Sequence, residues 1–219
     1  LVAPNSGYNL DNRCLLDAVA RGAGRFKGIA IVPLDIQRDA LFALRAQGIV
    51  GVAFNATLLG TAYYLGAAPL LRMLVELDMC LSLQVEHDQM VALRPLIEGS
   101  GVRVLIDHCG RPTAGQGVGQ PGFQAVLALA ASGRAAVKLS GYQKFSSQPP
   151  PFGDTRPFIE ALLERFTPDA CLWASDWPFL RAPQRLDVGP LLRQFERLIP
   201  SEADRRKVLW ETPKRLLGF

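Results

Sequence analysis

VRVLIDHCGRP, residues 102–112, begins as an apolar run and then delivers Asp107, His108 and Arg111 in quick succession. A run without polar alternation reads as a strand buried on both faces, which is the habit of parallel sheets. The chain holds only two histidines, and one of them closes its most strand-like segment. An ionisable group at a strand terminus escapes the desolvation that the core imposes, yet stays sheltered enough for its pKa to be tuned.

Similar apolar runs recur on both sides of this stretch: LVAP at 1–4, GIAIV at 28–32, IVGVAFN at 49–55 and CLSLQV at 80–85, then AAVKLSG at 135–141 and ACLWASD at 170–176. Helix-period segments lie between them, including LLRMLVEL at 70–77, VALRPLIE at 91–98, FQAVLALAA at 123–131 and FIEALLERF at 158–166. Alternating strands and helices predict βαβ units and a parallel sheet. The Pro-rich stretch QPPPFGD, 148–154, reads as a surface loop. A doubly wound open sheet is the rival arrangement, but neither GxGxxG nor GxxxxGK[ST] occurs. The polar residues favour a barrel. Asn55, Gln84, His108, Tyr142, Lys144 and Asp176 all lie at the C-terminal ends of runs, and a barrel gathers those ends into one mouth. The expected fold is therefore α/β, a (β/α)8 TIM-like barrel in a single domain over 1–219. With seven runs, it lacks one strand.

A length of 219 residues suits one such barrel. No apolar run approaches the roughly 18 residues that a membrane helix needs, and no signal-peptide pattern opens the chain. The four cysteines are widely spaced, which fits reduced thiols and a cytoplasmic setting better than a disulfide framework. The net charge of +4 comes from scattered basic residues. The one tight cluster, Arg205-Arg206-Lys207, reads as a solvated helix face, so no nucleic-acid partner is expected.

His108 and Asp176 form the strongest candidate pair. Asp176 could serve as general base toward water, and His108 could polarise a carbonyl or bind a metal. Each alone is better read as a satisfied polar cap; together on two strands of one barrel they favour catalysis. Adjacent strand residues point to opposite faces, so His108 is assigned inward and Asp107 to a structural role. Arg111 could fork onto a substrate carboxylate, or be an ordinary loop arginine. Tyr142 and Lys144 could reach over the mouth, while Trp177 and Phe179 either wall the pocket or simply pack. His87 reads as a helix-start residue. No GxSxG elbow surrounds Ser140 or Ser146, so neither is a convincing nucleophile. Two histidines and one aspartate make a poor zinc shell, and no metal or other cofactor is expected from these residues.

The stretches VLIDHCGRP, VKLSGYQKFS, LWASDWPF and VLWETPKRLLGF, with GIAIV and GVAFN, resemble the amidohydrolase-related family. The likeness is greatest to its branch of 2-pyrone-4,6-dicarboxylate lactonases and sugar-lactone hydrolases. It spans nearly the whole chain and implies a distorted barrel in which the present runs are strands 2–8. It implies a hydrolase of a lactone or related cyclic ester, acting on a small anionic or polyhydroxylated molecule. His108 would then polarise the substrate, Asp176 activate water, Arg111 bind a substrate anion, and Gln84 line the pocket; Asn55, at the end of its own run, is a further candidate for substrate binding. Two departures stand out. No His-x-His occurs, and Ala53 stands where the dicarboxylate lactonases carry an arginine. The resemblance therefore leads us to expect a further βα unit bearing HxH ahead of Leu1, which could bring a divalent metal. Its rivals are a metal-dependent amidohydrolase or decarboxylase, and a non-catalytic relative that has lost its first strand. A homodimer is compatible with each.

Overall fold

The computed structural model describes residues 1–3, 8–180, 182 and 184–219. Pro4, the last residue of the first run, lies outside the described residues. Six parallel strands follow the sequence order, each beside the next: β1 Gly28–Ala30, β2 Ile49–Asn55, β3 Cys80–Gln84, β4 Arg103–Ile106, β5 Ala135–Leu139 and β6 Cys171–Trp173. The helices Ala68–Glu76, Gln89–Ser100, Pro121–Ala128 and Arg156–Phe166 fall on the helix-period segments.

One expectation needs correction. Of the run at 1–4, the described residues 1–3 make one parallel bridge, Val2 to Gly28, rather than a strand. Its ladder is two hydrogen bonds long, Val2 N–H to Lys27 O at 2.8 Å and Ile29 N–H to Val2 O at 2.9 Å. The α/β organisation and the parallel sheet are as expected, and the sheet is not closed. Among the described residues the sheet ends at β1 and β6, and no ladder joins β6 to the Val2 segment.

The continuous apolar runs have a direct explanation in packing. Val104, Ile106, Val137 and Leu139 face the helices in the larger core cluster. Their neighbours Leu105 and Ala136 turn the other way, joining Ile29, Cys80 and Leu172 in a second cluster on the opposite face. Burying each such aliphatic side chain stabilises the fold by about 1.5–3 kcal/mol, and a strand covered on both sides has no polar face to alternate with. The segment 148–154 is mostly exposed, as expected, but Phe152 is 4 % exposed and anchors it in the core.

Candidate active site

Strand β4 ends at Ile106, and Asp107 continues its extended path with φ −80° and ψ 143°. The next four residues are all left-handed: His108 at φ 52°, Cys109 at 57°, Gly110 at 75° and Arg111 at 45°. Non-glycine residues rarely adopt this region, and where they do the surroundings must hold them. Here Cys109 is wholly buried, its thiol directed at the carbonyls of Lys138 and Ser140, each 3.8 Å away. Burial pushes that thiol up to about 12, so Cys109 acts as an apolar anchor. The turn is closed by Gly110 N–H to Asp107 O and Arg111 N–H to His108 O, both 2.9 Å.

This turn swings His108 over the strand ends. Its Nε2 lies 3.4 Å from Asp176 Oδ1, and its Nδ1 lies 3.0 Å from Ser140 Oγ. Asp176 is also left-handed, at φ 59°, beyond the end of β6. Its Oδ2 accepts a hydrogen bond from Gln143 Nε2 at 2.6 Å and lies 3.2 Å from Lys144 Nζ. A single 3-10 turn, Tyr142–Lys144, follows β5 and carries both of those partners. The side chains of His108, Asp176 and Lys144 retain 11 %, 13 % and 14 % exposure, enough for a ligand to reach them in a sheltered setting.

Strand alternation does not separate Asp107 from His108 as expected. Asp107 shares the face of Leu105 and Ala136, where Lys138 Nζ stands 2.6 Å from its Oδ1 and Ser82 Oγ donates to the same oxygen at 3.0 Å. Lys138 also donates to Ser82 at 3.1 Å. The left-handed turn returns His108 to the same side, so alternation ceases to apply beyond Asp107. The two groups influence one another. Burial opposes ionisation of Asp107, but the charges of Lys138 and His108 and hydrogen bonds from Lys138 and Ser82 outweigh it, holding the carboxyl below its usual range. For His108 burial dominates. Asp176 and Asp107 oppose it, Lys144 and Lys138 reinforce it, and the imidazole is held below its usual 6.5.

The other expected site residues divide. Arg111 pairs with Glu86 at 2.8 Å, on the loop after β3. Asn55 and Gln84 are cross-strand partners joined through Thr57, whose hydroxyl donates to Asn55 Oδ1 at 2.8 Å and accepts from Gln84 Nε2 at 3.3 Å. Tyr142 is corrected. It is 2 % exposed in the core, with its hydroxyl donating to Leu139 O, and does not reach over the mouth. Trp177, beside Asp176, is 72 % exposed, so core packing does not account for it. His87 precedes the helix Gln89–Ser100, as expected, and contacts Thr113 Oγ1 through Nδ1 at 2.9 Å. Sequence reading missed Gln143, Ser140 as a partner of His108, and the Lys138–Asp107–Ser82 network. The available signal was Lys138 itself, a charge inside an otherwise apolar strand.

A concave region of about 390 Å³ lies at the opposite end of the strands, lined in part by Lys27, Arg45, Asp78, Arg103 and Arg215. Its carboxylate, Asp78, is paired with Arg103 at 2.7 Å. The sheltered acid–base cluster of His108, Asp176 and Lys144 is at the other end. Among the described residues no group of three His, Cys, Asp or Glu side chains is placed to hold a metal. Among the described residues the donor set does not supply the three protein ligands that a catalytic zinc takes.

The amidohydrolase profile matches residues 2–219, essentially the entire chain that carries this cluster. The chain belongs to the amidohydrolase family. Among its amidohydrolase relatives is the 4-sulfomuconolactone hydrolase of Rhizobium radiobacter, 34 % identical over 99 % of this chain and 74 % of that one. The enzyme of the same name from Hydrogenophaga intermedia is 32 % identical over 99 % and 73 %. A solved structure from Acinetobacter baumannii, described as a probable 2-pyrone-4,6-dicarboxylic acid hydrolase with citric acid bound, superposes with a TM-score of 0.91. It is 25 % identical, covering 99 % of this chain and 82 % of that one. This amidohydrolase is thus an enzyme of the hydrolase type.

Proposed function

We propose that the protein hydrolyses a lactone bearing an acidic substituent, with Asp176 as general base. The observation that carries this reading is the meeting of His108, Asp176 and Lys144 within 3.4 Å at the strand ends. Relatives named as lactone hydrolases, and one relative that binds citric acid, support the substrate class.

In this reading Asp176 accepts a proton from water as the water oxygen attacks the ester carbonyl. Negative charge then develops on the carbonyl oxygen, where a preorganised N–H or ammonium donor contributes most. His108 Nε2 and Lys144 Nζ are the donors beside Asp176. Collapse of the tetrahedral species breaks the acyl–oxygen bond and opens the ring, and the proton held by Asp176 passes to the departing oxygen. The products are a carboxylate, a hydroxyl and one released proton at neutral pH. Gln143 fixes the rotamer of the base. Arg111 orients the acidic substituent, and Asn55 and Gln84 line the approach. We further read the six strands and the Val2 bridge as part of a barrel forming one domain over 1–219.

The test is proton release from a panel of anionic and neutral five- and six-membered lactones, with and without chelator. Turnover of anionic members above the buffer rate supports the reading. Absence of turnover across the panel, with cleavage of amides or decarboxylation instead, would overturn it.

A further inference from the structure

We propose that Ser140 and Gly141 are positioning residues that fix His108 as the tautomer carrying its proton on Nε2, the nitrogen facing Asp176. The consequence for turnover rests on the lactone-hydrolysis reading; the tautomer itself does not.

His108 Nδ1 and Ser140 Oγ are 3.0 Å apart, and Ser140 is 1 % exposed. A neutral imidazole has one N–H and one acceptor nitrogen, so two arrangements fit that distance. If Nδ1 carried the proton, Nε2 would turn a lone pair toward the Asp176 carboxylate at 3.4 Å. The buried hydroxyl would also need another acceptor for its own proton, and among the described residues His108 Nδ1 is the only partner recorded for it. A buried donor left without an acceptor costs about 1–3 kcal/mol. If Ser140 donates to Nδ1 instead, both groups are satisfied and the Nε2 proton points toward the carboxylate. Burial disfavours the doubly protonated ring, so the choice of tautomer matters near neutral pH. The groups acting on the ring are Asp176 after β6, Asp107 at the end of β4, Lys138 on β5 and Lys144 on the turn after it.

Gly141 makes the placement possible. A Cβ there would stand 2.7 Å from Cβ, Cγ and Nδ1 of His108, closer than atoms can pack, and its φ of 67° is one that glycine tolerates best. The imidazole occupies the space a side chain would fill. The dipeptide thus supplies both a donor and a cradle, much as outer groups fix metal-binding histidines.

The chain has two histidines, so long-range proton–nitrogen correlation spectra of the 15N-histidine protein resolve both rings, with His108→Gln assigning the signals. The expected result for the unsubstituted protein near pH 7.5 is Nε2 protonated and Nδ1 bare. Ser140→Ala should admit the other tautomer and lower kcat about tenfold, the worth of a hydrogen bond, with little change in KM. Ser140→Thr, which keeps the hydroxyl, should restore the spectrum and most of kcat. Gly141→Ala should displace the His108 signals. A protonated Nδ1, or two averaging tautomers in the unsubstituted protein, would overturn the proposal even if lactones are hydrolysed. An Nε2–H ring that Ser140→Ala leaves unchanged would also overturn it. An Nε2–H ring that responds to Ser140→Ala, in a protein that opens no lactone, would uphold the tautomer assignment and overturn the functional reading.

Discussion

Asp176 is held by Gln143, Lys144 and His108 at once, so replacing it by an isosteric amide changes the chemistry more than the shape. Asp176→Asn should lower kcat by about 10²–10⁴-fold, the usual contribution of a positioned base, with ligand affinity within a few-fold. Steady-state kinetics on any lactone the parent opens would check this, and near-normal turnover would remove Asp176 from the mechanism. Asp107 belongs to stability instead. Its ion pair with Lys138 is largely enclosed, and breaking such a pair strands a buried charge. Asp107→Asn should cost about 3 kcal/mol in denaturant unfolding, toward the lower end of the range because its side chain keeps 15 % exposure. Asp107→Leu combined with Lys138→Met should cost less than either alone. The pH dependence follows from His108 and Asp107. His108 is held below 6.5 when folded, so below about that pH the unfolded chain takes up its proton first and stability declines as pH falls. Asp107, also held low, contributes stability above the ordinary carboxylate range that is lost as pH falls through its folded value. His108→Gln should flatten the upper part of a melting-temperature profile between pH 7 and 3, and Asp107→Asn the lower part. At this scale His108 and Asp176 were legible because their chemistry stood out at strand ends. The side on which Asp107 lies was not, since the left-handed turn that voids alternation leaves no composition signal when His108, Cys109 and Arg111 form it.

The apolar runs announced β1 to β6 because double burial leaves its mark on every residue of a strand. LVAP carried the same mark, but among its described residues a single bridge forms; a run records burial without fixing ladder length. Tyr142 was misplaced for a related reason. The 3-10 turn after β5 rotates successive side chains by about a third of a turn, sending Tyr142 into the core and Lys144 toward Asp176. One close approach between elements is testable. The helix Pro121–Ala128 meets the turn at His87 through Gly122, whose N–H donates to Asp88 Oδ1 at 2.8 Å. A Cβ on Gly122 would fall 1.8 Å from the His87 carbonyl oxygen. Gly122→Ala should therefore destabilise by about 1–3 kcal/mol, the cost typical of overpacking. An unchanged melting temperature would contradict this packing.

Across the whole molecule, the sheet brings the ends of distant segments to one side and leaves a basic concavity at the other. A net charge of +4 leaves room for the anionic substrates proposed above, and the C-terminal basic cluster is engaged in pairs, Arg206 with Glu211 and Lys207 with Asp169. Selectivity should instead lie with Arg111. Arg111→Met should lower kcat/KM for anionic lactones by about 1.5–3 kcal/mol in transition-state terms and spare neutral ones; equal losses for both would make Arg111 a structural partner of Glu86. The parallel order of the strands was legible from periodicity and their polar C-terminal ends from residue type, whereas closure of a sheet depends on pairings between distant segments that no local pattern records. The most direct test of the central claim is the rate of proton release on an anionic lactone by the parent protein and Asp176→Asn at pH 7.5, side by side. The account predicts turnover by the parent and its near-complete loss in the folded variant; equal rates in the two proteins would contradict it.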